Sequence, residues 1–238
     1  MKRVYAVGLR LFAWTAWILS STLVGNAGIV TFDVSSQPGN QASTSPVVAP
    51  NVFATSLVRG PGLNTSSGIG SFNASGFTTM PSIDLTDYFQ FTVTAAPGYA
   101  LDLEDLVLGE RRSLSGVREF QIRTSLDQFS TFTSQYSFSV PDSDALRDHS
   151  ISLTGLSGVT DTVDIRIYGF AAESSAGTWR LVHHPDYGGI VLNGTVAAVP
   201  EPSSALLIGT AMMGGFWFRR RMVRRGGESL HFLDKNLD

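Results

Sequence analysis

The chain has 238 residues, no cysteine, and 17 Lys and Arg against 20 Asp and Glu, for a formal net charge of −3. That charge is unevenly spread: Gly28 to Val199 holds eight arginines, no lysine and sixteen acidic residues, a balance of −8, and the other nine basic residues lie in the two ends. Such a body excludes nucleic acid as a natural partner, and the lack of cysteine excludes a disulfide framework and any thiolate metal centre.

The first element in chain order is an export leader, residues 1–27. Lys2, Arg3 and Arg10 form a positive start, Leu11 to Val24 an apolar run, and Gly25-Asn26-Ala27 a small-x-small site, so cleavage is expected after Ala27. An uncleaved anchor is the alternative; the run is only fourteen residues long. The body, residues 28–198, is long enough for one domain with its own core.

This body reads as β throughout. Phe89, Phe91 and Val93 alternate with Gln90 and Thr92, Phe120 and Ile122 with Gln121 and Arg123, Tyr136, Phe138 and Val140 with serines, and Val163, Ile165 and Ile167 with Asp164 and Arg166. A last strand carries Ile190 and Leu192. Period-two alternation gives each strand one face for a core. In Leu101 to Leu108 the alternation slips across Glu104-Asp105, as a β-bulge would make it do. Ala96-Pro97-Gly98, Ser115-Gly116, Gly155 to Gly158 and Gly188-Gly189 supply turns. The expected fold class is all-β, an antiparallel two-sheet sandwich of jelly-roll type. Gln37 to Pro50 and Gly60 to Gly76, rich in Ser, Thr, Asn, Gly and Pro, are expected as long, partly ordered surface loops.

The body offers few chemical groupings. Trp179 is its one tryptophan and a candidate carbohydrate contact, because an indole presents a wide apolar face with a polar handle; core packing is the competing role, and loop residues Tyr99 and Tyr187 face the same choice. Asp102, Glu104 and Asp105, with Asp84 or Asp87, form an acidic cluster, but without the regular loop spacing that converges oxygens on calcium. His183, His184 and Asp186 lack a nucleophile-elbow serine nearby. No metal site, cofactor or catalytic residue is expected. Three Asn-x-Ser/Thr tripeptides begin at Asn64, Asn73 and Asn193.

The last element is the most specific. Val199-Pro200-Glu201-Pro202-Ser203-Ser204 runs into fourteen uncharged residues, Ala205 to Phe218, and then into Arg219, Arg220, Arg221, Arg224 and Arg225. The prolines bias the chain away from helix, Ser203 or Ser204 can cap a helix started after them, and a helix over 203–218 is a short membrane span. The arginines behind it act as a stop signal and snorkel to headgroups. Under the positive-inside rule both basic ends stay cytoplasmic and the body lies outside. Residues 226–238 form a short polar tail.

This order of Pro-Glu-Pro, membrane helix and arginine cluster over residues 199–225 resembles the PEP-CTERM sorting signal of exported bacterial proteins. The resemblance implies a substrate of an exosortase-type membrane enzyme, with Pro200, Glu201 and Pro202 as the recognition motif. It also implies processing near that motif and an association with exopolysaccharide. Asp87 to Val93, Phe120 to Asp127 and Gly177 to Arg180 resemble phrases of exported proteins that carry the same tail, a similarity over Val52 to Val196 that implies a jelly-roll ectodomain. Signal peptidase is the partner expected at the leader. The expected path is membrane anchoring through the C-terminal helix, then the cell surface or extracellular matrix. The polar tail after the arginines departs from the usual pattern of such signals. The expected role of the body is structural or adhesive and not enzymatic, with a carbohydrate-binding module as first alternative and a glycan-active enzyme as second.

Overall fold

The computed structural model describes residues 27–130, 136–153, 155–183 and 188–199. The expected leader up to residue 26, the helix over 203–218, the arginine cluster and the polar tail lie outside these residues. Among the described residues no helix is long and apolar enough to cross a membrane.

The described chain is strand after strand: β1 Ala27–Phe32, β2 Pro38–Gly39, β3 Val47–Val48, β4 Val52–Ala54, β5 Val58–Arg59, β6 Asn64–Thr65, β7 Ser71–Ser75 and β8 Tyr88–Ala95. There follow β9 Tyr99–Arg112, β10 Glu119–Thr124, β11 Ser137–Ser139, β12 Arg147–Ser152, β13 Val163–Phe170, β14 Thr178–Val182 and β15 Ile190–Ala198. A 3-10 turn, Ser125–Asp127, follows β10.

The strands form two sheets, which makes the chain all-β as its alternation predicts. In the larger, curled sheet β9 is the spine. Its residues 99–107 pair with β15 and 109–112 with β14, while 105–110 pair with β12. Val107, Gly109 and Glu110 are each shared between β12 and one of the other two, so β14 and β15 lie end to end on one edge of β9 and β12 on the other. Outward from β14 come β7 and β2, and outward from β15 come β1 and β3. The smaller sheet runs β11-β10-β13-β8-β4, with β5 also on β8. All pairs are antiparallel except β2 with β7.

One hydrophobic core lies between the sheets. Its centre is aromatic: Phe32 meets Phe91 at 5.0 Å between ring centroids, Phe72 meets Phe89 at 5.5 Å, and Trp179 meets Phe89 at 5.6 Å and Phe120 at 5.2 Å. Each pair joins one sheet to the other, and burying such a ring contributes about 1.5–3 kcal/mol. Where Leu101 to Leu108 loses its alternation, Asn193 pairs with Asp105 and Gly194 with Leu103, so Glu104 is the extra residue of a bulge, as expected.

One expectation is corrected. Gly60 to Gly76 is not a surface loop along its length: Ser71–Ser75 is β7, with Phe72 and Ala74 fully buried and both edges paired. Gln37 to Pro50 likewise contains β2 and β3. Both segments bury little apolar mass, and Ser and Asn on the outer face of β7 mask its alternation.

Candidate functional site

The strand that leads into the Pro-Glu-Pro motif is β15, and its packing defines where the folded body stops. Val191 to Gly194 is held on both edges, by β1 and by β9, with Leu192 opposite Val30 on one side and Leu106 on the other. Among the described residues Thr195, Val196, Ala197 and Ala198 pair only with β9, opposite Asp102, Leu101, Ala100 and Tyr99. The Val199 N–H donates to the Gly98 carbonyl at 2.8 Å, the last hydrogen bond of the ladder. Proline has no amide hydrogen, so Pro200 cannot add a donor to this ladder. Ala197, Ala198 and Val199 are exposed. The result is an extended, solvent-facing strand end with no linker between body and motif. At the other terminus β1 begins at Ala27, the expected last residue of the leader, paired with Gly194. The expected leader cleavage point therefore lies on the strand that neighbours β15. Pro200, Glu201, Pro202 and Arg219, Arg220, Arg221, Arg224 and Arg225 are outside the described residues.

Trp179 is fully buried on the inner face of β14. Its Nε1–H donates to Glu110 Oε2 at 2.8 Å, and its ring packs on Phe77, Phe89 and Phe120, leaving no face open to a sugar. Tyr99 is half-buried against the core, and Tyr187, His184 and Asp186 are outside the described residues. The acidic cluster is dispersed in its bonding. Asp102 accepts from the Gly158 N–H at 2.7 Å, Asp105 from Ser150 Oγ at 2.7 Å, and Asp84 from the Thr86 N–H and hydroxyl, which hold it below the ordinary carboxylate range. Asp87 is buried, which pushes its carboxyl up despite the Thr78 N–H at 2.7 Å. Among the described residues no three His, Asp or Glu side chains are placed to hold a metal. Asn64 is exposed, whereas Asn73 and Asn193 are buried, which removes two of the three glycosylation tripeptides from reach.

Sequence reading missed the buried charges. Glu110 and Arg112 continue the inward series Leu106, Leu108 on β9, and both are fully buried. Extending the alternation four residues further would have placed them there. Arg147 grips Glu110 with two guanidinium nitrogens, Nη2 at 3.0 Å from Oε2, and His149 Nε2 lies 3.5 Å from Oε1. Burial pushes the Glu110 carboxyl up, but the bonds from His149, Arg147 and Trp179 together outweigh it and hold the group below its ordinary value. Arg112 reaches Glu173 at 3.1 Å and donates to the carbonyls of Ser113 and Leu114. These groups tie β12 and the 113–115 turn onto β9.

Comparison with solved structures gives matches of low similarity, two of which follow. The enzymatically active domain of tailspike protein 4 from bacteriophage CBA120 is 14% identical, with a TM-score of 0.34, over 70% of this chain and 22% of that one. A β-glucosidase from Kluyveromyces marxianus in complex with glucose is 11% identical, with a TM-score of 0.20, over 73% of this chain and 18% of that one. The chain spans about a fifth of the length of either. No curated protein sequence matches it. A family model does match, and it begins on the last residue of β15: residues 198–221 of this chain are a PEP-CTERM protein-sorting motif.

Proposed function

We propose that this protein is a non-enzymatic component of the cell surface or extracellular matrix, structural or adhesive in role and associated with exopolysaccharide. The sorting motif implies the coarser part, an exported protein anchored at its C-terminus and handled by an exosortase-type enzyme. The observation that carries the reading is the junction itself: the motif starts at Ala198, where β15 ends and the body's last ladder bond is made by Val199. Sorting is thereby applied to a finished domain with its own core. In this reading signal peptidase removes residues 1–27, the helix over 203–218 holds the chain in the inner membrane, and the arginines behind it stay in the cytoplasm. Pro200, Glu201 and Pro202 present the sorting signal immediately beyond the folded edge.

The test is replacement of Pro200 and Glu201 by alanine in the native host. The expected outcome is loss of surface delivery and retention of the C-terminal mass. Unchanged delivery with unchanged C-terminal processing would refute the sorting role.

A further inference from the structure

The outer face of the larger sheet carries a row of three polar side chains, each with a hydrogen-bonding atom that the fold leaves unpaired. Phe72 and Ala74 on β7, Trp179 and Leu181 on β14, and Glu110 and Arg112 on β9 all point into the core. Alternation therefore sends Asn73, Arg180 and Arg111 outward, and the register places Asn73 opposite Arg180 and Arg180 opposite Arg111. Two guanidinium groups side by side on paired strands repel each other and cost stability.

The repulsion is poorly relieved. Arg111 reaches Asp144 at 3.2 Å, a pair exposed on both sides and weak for that reason. Arg180 makes no hydrogen bond or ion pair among the described residues. Each of the other seven arginines of the body has a partner, among them Arg59 on the carbonyls of Gly39, Gln41 and Asn73, Arg147 on Glu110, and Arg166 on Gln90 between the rings of Tyr88 and Phe129. A body with twice as many acids as arginines leaves this cation without a contacting acid among the described residues. Burial, and then Arg111, lower the Arg180 pKa, and the nearby Asp144 only partly offsets them. The Nε atoms of Arg180 and Arg111 are buried without an acceptor, and so is Asn73 Oδ1 without a donor, in a side chain only 2% exposed.

These groups converge beside Gly68. A Cβ on that residue would lie 3.0 Å from Arg180 Nη1, 3.1 Å from Asn73 Nδ2 and 3.2 Å from Ser71 Oγ. Asn73 Nδ2 donates to Ser67 O at 2.7 Å, which orients the amide and leaves Oδ1 as the acceptor in want of a hydrogen.

We propose that Arg180 and Arg111, side by side on β14 and β9 and backed by Asn73, bind the carboxylate of an acidic sugar residue. A carboxylate meets a guanidinium with two parallel hydrogen bonds. Polysaccharide as the carrier of that sugar rests on the matrix reading above; the carboxylate site itself does not, because it stands on β7, β14 and β9 alone.

The full-length protein in detergent micelles is titrated calorimetrically at low salt with trigalacturonate. Saturable binding is expected, weakening as salt rises, and reduced at least tenfold in Arg180→Gln with an unchanged melting temperature. Arg118→Gln removes the same charge elsewhere and is expected to bind as the native chain does. Absence of trigalacturonate binding, undiminished binding in Arg180→Gln, or equal binding of the neutral galactose trimer overturns the site. Inorganic phosphate or phosphatidylglycerol vesicles bound as tightly through Arg180 overturn the sugar assignment. Failure of the Pro200 and Glu201 variant test would instead remove the matrix reading and leave carboxylate binding intact.

Discussion

Glu110 shows how much one buried carboxylate can govern here. It answers three donors from two strands, Trp179 on β14 and Arg147 and His149 on β12, so neutralising it leaves the half-buried Arg147 without a counter-charge. Glu110→Gln is expected to cost about 3–5 kcal/mol, the usual loss when one partner of a buried pair is removed, read from urea unfolding. The pH dependence follows from the same bonds. The folded-state pKa of Glu110 lies below the ordinary value of 4.5, so its stabilisation is fully present above about pH 4.5 and is lost as pH falls through the folded value. Asp87 works the other way: burial raises its pKa, so its folded form favours the proton and offsets part of the acid loss. Glu110→Gln should therefore flatten the acid side of the stability profile. A melting curve as steep in acid as that of the native chain would remove Glu110 from the account.

At the scale of elements, β15 joins two regimes of stability in one strand. Val191 to Gly194 lies between β1 and β9, while Thr195 to Ala198 is bonded on one edge only among the described residues. Native-state amide exchange is expected to be slowest at Val191 and Asn193 and faster from Val196 onward, fastest at Val199. Uniform protection along β15 would contradict this division. The change occurs at Gly194, opposite the Glu104 bulge, where an added Cβ would stand 2.4 Å from the Asp102 carbonyl. Gly194→Ala must displace backbone and is expected to destabilise by about 1–3 kcal/mol, with the exchange boundary moving toward Ile190. The bulge was legible because two adjacent acids broke a run of leucines. β7 was not, because Ser71, Asn73 and Ser75 read as loop composition while the tertiary pairing with β14 and β2 made a strand of them.

For the whole molecule, the sorting information and the folded body meet at Ala198 without overlapping further. Residues 198–238 fused to an unrelated exported β-domain are expected to direct it to the same location, and a fusion left in the periplasm would show that the body takes part in sorting. Local order in the sequence settled the tail, because prolines, an uncharged run and an arginine cluster act through composition and spacing that no packing can alter. It also settled the all-β class, since alternation with period two is a property of neighbouring residues. Only the tertiary structure decided what the polar and aromatic residues do. Trp179 went to the core because Phe89 and Phe120 arrive from the opposite sheet and Glu110 arrives to take its N–H. Arg111 and Arg180 lie far apart in the chain and become neighbours only when β14 pairs with β9. A lone charge is defined by which partners come within reach, and that is a property of three dimensions.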